Sequence, residues 1–250
     1  MKIDSTDCHL WPCQLHLATV KLQKETKESP DAHGRWYGDA CGAAFALELL
    51  GERWTLLIVR ELMLGARRFS GLRADLPGIS AKVLTERLTR LEDNGVVARR
   101  MLPEPAKVQV YELTDWGRAA MPAIRELVLW AMRCGRHDPS LPMTATAFVL
   151  TLPMTWQGGA AEPFVLALET GAHRAIARVD ADRITVEGGE AKVADAIVRA
   201  ERGNAMLGLF YGRTPFDAWL AGGEGRAIEG NREKLSAMIE RLQWPEKIAP

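Results

Sequence analysis

The chain is poor in most of the features that would mark a secreted, membrane-bound or catalytic protein. It has four cysteines in 250 residues, Cys8, Cys13, Cys41 and Cys134. That is too sparse for a disulfide scaffold, and a chain of this size does not need one. No apolar run is long enough to span a bilayer. The opening Met1-Lys-Ile-Asp-Ser-Thr-Asp7 has no apolar signal-peptide core. These absences lead to the expectation of a cytoplasmic protein that makes no membrane contact. The formal net charge is zero, so the whole molecule does not attract polyanions, and any affinity for nucleic acid has to come from local placement of charge.

The usual marks of catalysis are also missing. No glycine-rich loop ends in Gly-Lys-Ser/Thr, and no Gly-x-Ser-x-Gly elbow occurs. The five histidines, His9, His16, His33, His137 and His173, have no patterned Asp or Ser partner. Cys8, His9, Cys13 and His16 lie close together, but their spacing fits no zinc template and no second ligand pair follows. Neither an enzyme, nor a cofactor, nor a metal is expected.

What is present is a helical pattern that begins at Cys41. Residues 42–50 and 54–64 carry apolar positions at helical spacing, and Gly51 and Gly65 end the two runs. A short third run, Phe69–Leu76, stops at Pro77-Gly78. Ser80 then suits the N-cap of a helix that reaches about Asn94, with Gly95 as its C-terminal stop. On that helix Leu84, Leu88 and Leu91 share one face, and Lys82, Thr85, Glu86 and Thr89 share the opposite one. A leucine stripe backed by a short polar face suits a helix that packs on its own domain while offering donors and acceptors to base edges.

After Gly95 the period changes. Val96–Arg100 and Val108–Leu113 are β-prone and flank the Pro-rich turn Leu102–Lys107. Three helices followed by such a hairpin make a winged helix-turn-helix. Thr114 caps a further helix running towards Arg136, with Ile124, Leu127, Val128 and Ala131 on one apolar face and a kink or restart expected at Pro122. Between Arg67 and Lys107 nine basic residues (Arg67, Arg68, Arg73, Lys82, Arg87, Arg90, Arg99, Arg100, Lys107) outnumber five acids (Asp75, Glu86, Glu92, Asp93, Glu104). That excess falls on the elements expected to face DNA, as phosphate binding requires, although a solvated helical surface would show the same count.

The segment resembles the HxlR-type transcriptional regulators, a bacterial winged-helix family. The resemblance is carried by Cys41, Leu47–Gly51, Trp54, Arg60-Glu-Leu62, Gly65, Arg68-Phe69, Leu72, Leu76–Ser80, Leu84, Arg87-Leu88, Leu91-Glu92, Gly95-Val96, Tyr111, Leu113-Thr114 and Gly117, all in one register. It implies a homodimer on double-stranded DNA. Base contacts are then expected from Lys82, Thr85, Glu86 and Thr89, with Glu86 also placed to pair with Arg90 one turn on. Phosphate contacts are expected from Arg68, Ser80, Arg87, Arg90, Arg99, Arg100 and Lys107. Cys41 stands where redox-responsive members of the family keep a sensing thiol; the alternative is a small, buried, apolar residue at a helix start.

The remainder divides in the same reading. Residues 1–35 form a flexible N-terminal extension, and Trp36 and Tyr37 open the winged-helix domain, 36–137. Residues 138–142 are a linker, and 143–250 are a second domain that is not basic, with 12 Lys and Arg against 14 Asp and Glu. There, Thr144–Leu152 reads as helix or strand. Phe164–Leu168, Ala172–Val179, Ile184–Val186 and Ala194–Ala200 read as strands, and Ala205–Phe210, Pro215–Leu220 and Asn231–Leu242 as helices. The whole is therefore an α+β protein. This second domain resembles the sterol-carrier-protein-like domain appended to some HxlR-type regulators, through Gly212-Arg213, Phe216, Ala221-Gly222 and Ile228-Glu-Gly230. The resemblance suggests a pocket for a small apolar effector lined by Phe164, Met206, Leu207, Phe210, Phe216 and Trp219, unless these side chains fill a solid core or a subunit contact. The competing reading of the full chain is a lipid or small-molecule carrier whose helix-turn-helix is vestigial.

Overall fold

The computed structural model describes residues 37–105, 107–159, 162–223 and 225–248. The extension 1–35, with Cys8, His9, Cys13 and His16, and Trp36 lie outside the described residues.

Four helices open the described chain: α1 (Gly42–Leu50), α2 (Thr55–Leu62), α3 (Phe69–Asp75) and α4 (Ala81–Asp93). The start of α4 is fixed by Ser80, whose Oγ accepts from the Val83 amide at 3.2 Å. This satisfies one of the amides that a helix start leaves without an intrahelical partner. The antiparallel hairpin β1 (Val97–Met101) and β2 (Gln109–Leu113) follows. Arg67 adds a third rung, exchanging backbone hydrogen bonds of 2.8 Å with Tyr111 in both directions. Thr114 caps α5 (Asp115–Ala119), its Oγ1 accepting from the Gly117 amide at 3.0 Å. The chain then restarts as α6 (Met121–Met132) with Pro122 in its first turn, where a missing N–H leaves no broken ladder bond. A Cβ at Gly117 would lie 2.1 Å from the Val96 carbonyl oxygen, so only glycine lets α5 close against the wing. Ile58, Val59, Leu62, Leu72, Leu84, Leu88, Leu91, Val96, Tyr111 and Leu113 form the buried core of this half.

The second half opens with α7 (Ala145–Thr155), capped by Thr144 Oγ1, which accepts from Ala147 N at 3.1 Å. Four strands follow, β3 (Phe164–Thr170), β4 (His173–Val179), β5 (Ile184–Gly188) and β6 (Ala196–Ala200). Then come α8 (Gly203–Phe210), α9 (Phe216–Ala221), β7 (Ala227–Gly230) and α10 (Arg232–Glu240). The sheet runs β5-β4-β3-β6-β7; β3 and β6 are parallel and the other pairs antiparallel. Thr144–Leu152 is thus helix, and the short edge strand β7 lies outside the runs that read as strands in the sequence. Buried residues cover α7 from Ala145 to Leu152 with the exception of Ala147. The helix runs beside both the sheet and α8, and it has no polar face.

Phe164, Met206, Phe210 and Trp219 are buried in the core of this half, and Leu207 and Phe216 pack against it. Trp219 Nε1 donates to the Ala205 carbonyl at 2.7 Å. Four of the six candidate pocket residues are thus buried core, and the other two lie against it. Fold-level spacing explains why: large apolar side chains facing one another across a sheet and a helix layer close-pack unless something holds the layers apart.

The two halves meet along α2, the following loop and α3. Thr144 Oγ1 donates to Glu61 Oε1 at 2.8 Å. His173 lies 3.1 Å from Asp75 Oδ1, and Arg67 pairs with both of these residues. At Gly188 a Cβ would sit 1.8 Å from the Leu64 carbonyl oxygen, so the β5 end approaches that loop only because it carries no side chain. Residues 135–142 hold no helix or strand, yet Lys247 anchors them, its Nζ donating to the Met132, Cys134 and His137 carbonyls at 2.9, 3.2 and 3.2 Å. Among the described residues no helix is long and apolar enough to cross a membrane.

Candidate nucleic-acid interface

The site is built around α4. Its three leucines, Leu84, Leu88 and Leu91, are essentially inaccessible. That fixes the rotation of the helix and leaves Lys82, Thr85, Glu86 and Thr89 exposed together on the other side, with the capping Ser80 exposed at the helix start. Thr85 Oγ1 donates to the Ala81 carbonyl at 2.9 Å. With its hydrogen committed to the backbone, the hydroxyl presents lone pairs, which suits an amino group of adenine or cytosine. Lys82 and Glu86 face each other across one turn at 3.9 Å. Glu86 therefore pairs backwards, to Lys82, and not to Arg90.

The expected phosphate set separates into two groups. Arg68, Arg99, Arg100 and Lys107 are exposed around α3 and the wing. Arg99 donates to Glu92 at 2.6 Å and lies 5.9 Å over the Tyr111 ring. Hydrogen bonding and attraction from the Glu92 carboxylate raise the Arg99 pKa above its ordinary value. Arg100 pairs with Glu112 at 3.0 Å, and Lys107 with Glu104 at 3.5 Å at the wing tip. Exposed pairs of this kind are weak and exchange readily for a stronger anion.

Arg87 and Arg90 behave differently. Arg87 sits 2.9 Å from Glu52 and donates to the Arg53 carbonyl at 3.2 Å. Arg90 donates to Glu52 at 3.2 Å and to the Glu48 carbonyl at 3.0 Å. Both are four-fifths buried. Their guanidinium groups tie α4 to the α1–α2 region, and a phosphate at Arg87 or Arg90 would have to displace charged partners already in place.

Cys41 is exposed at the N-cap of α1, where its amide donates to Asp39 Oδ1 at 2.9 Å. Within the single chain its side chain is therefore not buried. Glu61 is absent from the expected set. It lies wholly buried in α2, with Arg60 and Thr144 on Oε1 and, among the described residues, no hydrogen-bond partner on Oε2. A signal for it exists in the run Thr55-Leu-Leu-Ile-Val-Arg-Glu-Leu62, where an acid at position 61 shares the helix face of Ile58.

A capped helix with a buried leucine stripe and an exposed polar face, preceded by three short helices and followed by a hairpin, defines a winged helix-turn-helix, the DNA-binding class of fold. The model of the HxlR-like helix-turn-helix family matches residues 49–139. The HTH-type transcriptional regulator YvaP of Bacillus subtilis is 46% identical over 87 residues, 34% of this chain and 80% of its own. The regulator YodB of the same organism is 46% identical over 87 residues, 34% of this chain and 77% of its own. A solved structure of the reduced form of B. subtilis YodB aligns with a TM-score of 0.37 and 39% identity, covering 40% of this chain and all of that one. The chain belongs to the HxlR-like helix-turn-helix family and is a DNA-binding transcriptional regulator.

Proposed function

We propose that the protein is a homodimeric, sequence-specific regulator that reads DNA with Lys82, Thr85, Glu86 and Thr89 and holds it with Arg68, Ser80, Arg99, Arg100 and Lys107. The observation that carries this reading is the fixed rotation of α4, whose buried leucines leave that polar quartet exposed as one surface. Two copies of the helix in a dimer would enter successive major grooves about 34 Å apart. The apolar groups that α1 and α6 leave exposed, among them Leu47 and Trp130, support pairing through those helices.

The division into a DNA-binding and dimerisation domain at 36–137, a linker at 138–142 and a sterol-carrier-protein-like domain at 143–250 belongs to the same proposal. The separate buried core of each half supports it, and so does the mixed five-stranded sheet with its surrounding helices. Since the interior of the second half is packed, its role in this reading is to brace α2 and α3 and to carry regulation to them. Cys41, exposed at the start of an interface helix, is the proposed thiol switch. A cytoplasmic location and the lack of catalysis belong to the same reading.

The test is quantitative binding to DNA fragments recovered with the protein from cells. Lys107→Ala should weaken binding to specific and random DNA alike and lower the salt slope by about one. Thr85→Ala should cost about 1–3 kcal/mol against the preferred base at one or two positions only. Equal losses on specific and random DNA from Thr85→Ala would refute the assignment of α4 as the reading helix.

A further inference from the structure

Where the two halves meet, the structure forms a partly open cavity of about 340 Å³. Its walls are Glu61 of α2, the Leu64–Arg67 loop, Ala145, Thr146 and Val149 of α7, and the facing parts of β3, β4 and β5, including Thr170, His173, Arg174 and Gly188. A buried water takes about 30 Å³, and small-molecule sites begin at roughly 300 Å³. The space is ligand-sized.

Glu61 gives this cavity its chemistry. The side chain is 0% exposed, and its Oε2 is one of two buried side-chain polar atoms without a hydrogen-bond partner among the described residues. The other carboxylate oxygen is held by Arg60 at 2.6 Å and Thr144 at 2.8 Å. A buried acceptor without a donor is a costly arrangement that a bound donor relieves. The rest of the wall selects the donor. Arg60 already balances the Glu61 charge, and two more guanidinium groups line the cavity, Arg67 paired with Asp75 and Arg174 with Glu169. A cationic ligand would meet those arginines, and a carboxylate would meet Glu61 Oε2. Leu64, Val149 and Leu168 offer apolar contact to the body of a guest.

We propose that this cavity binds a small neutral molecule bearing a hydroxyl group, and that the hydroxyl donates to Glu61 Oε2. The site also has a physical route to the wing. Arg67, in its wall, exchanges two backbone hydrogen bonds with Tyr111 of β2, and Asp75 of α3 bonds the same Arg67 side chain and His173. A guest that shifts Arg67 changes the position of the hairpin relative to α3. That regulatory consequence rests on the DNA-binding reading above, whereas the binding site does not.

The experiment uses the full chain without DNA and three probes of one shape: para-ethylphenol, para-ethylanisole, which lacks the donor, and para-ethylbenzylammonium, which carries a cation. Calorimetric titration should show the phenol binding about tenfold or more tightly than either of the others. Glu61→Gln should shrink the gap between phenol and anisole to within about threefold. Because Glu61 also holds Arg60 and Thr144, that variant can fail to fold, so Ala172→Phe provides the second arm. Ala172 is an exposed turn residue in the cavity wall. A bulky ring there should weaken the phenol at least about tenfold with the melting temperature unchanged. Failure of the phenol to bind, equal binding of phenol and anisole, tighter binding of the ammonium, or undiminished binding to Ala172→Phe would each overturn the proposal. DNA titrations with and without the phenol follow. Phenol binding retained by a protein that binds no DNA supports the cavity and counts against the DNA reading alone.

Discussion

Arg90 of α4 donates to the backbone carbonyl of Glu48 in α1 at 3.0 Å, and its other terminal nitrogen reaches Glu52 at 3.2 Å. The helix proposed to read DNA is thereby fastened to the helix proposed to carry the dimer contact. Arg90→Ala should cost about 1.5–3 kcal/mol of stability, because charge-assisted bonds are lost and the mostly buried Glu48 carboxylate loses its neighbour. Its DNA salt slope should match the wild type. Chemical denaturation and salt-titrated binding check both halves of this expectation; a slope reduced by about one at unchanged stability would return Arg90 to the phosphate set.

Cys41 should control DNA release. Its exposure lets an oxidant reach the sulfur, and its place at the start of α1 puts a disulfide or adduct next to the proposed interface. Diamide should lower the affinity of the wild type at least about tenfold and leave Cys41→Ser unaffected. Cys134 makes this control necessary. Hydrogen bonding from Arg136 lowers the pKa of that half-exposed thiol and favours its thiolate, so it too is a candidate for oxidation. Equal release from wild type and Cys41→Ser, together with protection in Cys134→Ser, would move the switch to Cys134.

The extent to which the sequence revealed this arrangement depended on where each residue finds its partners. The rotation of α4 was legible because a capping serine and a leucine stripe are local signals, and the polar quartet follows from them. The ion pairing of Arg87 and Arg90 was not legible, because their partners lie 34 to 42 residues away. A count of charge along the chain cannot register an acid that arrives from another helix. The state of α7 was ambiguous because a helix buried on almost all sides shows no amphipathic period. The short β7 carries little pattern of its own, and its pairing with β6 defines it. The cavity at Glu61 is formed by elements from both halves of the chain, and no motif encodes a void. Nor could the apolar content of the second half distinguish a lining from the packed core that it proved to be.

His137 should make the protein less stable in mild acid. Burial, reinforced by the Lys247 ammonium, lowers its pKa from the ordinary histidine value, while Asp138 opposes the shift. Above pH about 6.5 the ring is neutral in both folded and unfolded chains and contributes no pH dependence. As pH falls below that value the unfolded chain takes the proton first, so stability falls until the folded pKa is passed. The site is partly solvated, and the slope is correspondingly shallow. His137→Gln should flatten the melting temperature as pH falls below about 6.5. An identical pH profile in the variant would show that other groups account for the acid sensitivity.

Trp130 tests the dimer. The α6 helix buries Ile124 and Met132 against its own chain, yet Trp130 is 72% exposed and Leu127 45% exposed. On α1 Leu47 is 55% exposed. Large apolar side chains standing out singly on a surface are common, but a tryptophan and leucines on the two helices that flank the winged-helix core mark a candidate contact. Aromatic anchors of this kind commonly dominate an interface, each being worth about 2 kcal/mol or more on truncation. A charge placed at the same point would also have to be desolvated. Trp130→Glu should therefore raise the dimer dissociation constant at least about thirtyfold while leaving monomer stability within about 0.5 kcal/mol. Sedimentation across a concentration series reads the first quantity and denaturation below the dissociation constant reads the second. DNA binding should fall in parallel and become steeper in protein concentration, since each monomer would then have to find its partner on the operator. A Trp130→Glu protein that sediments as the wild type does would exclude α6 from the interface and leave pairing to α1 or to the second half.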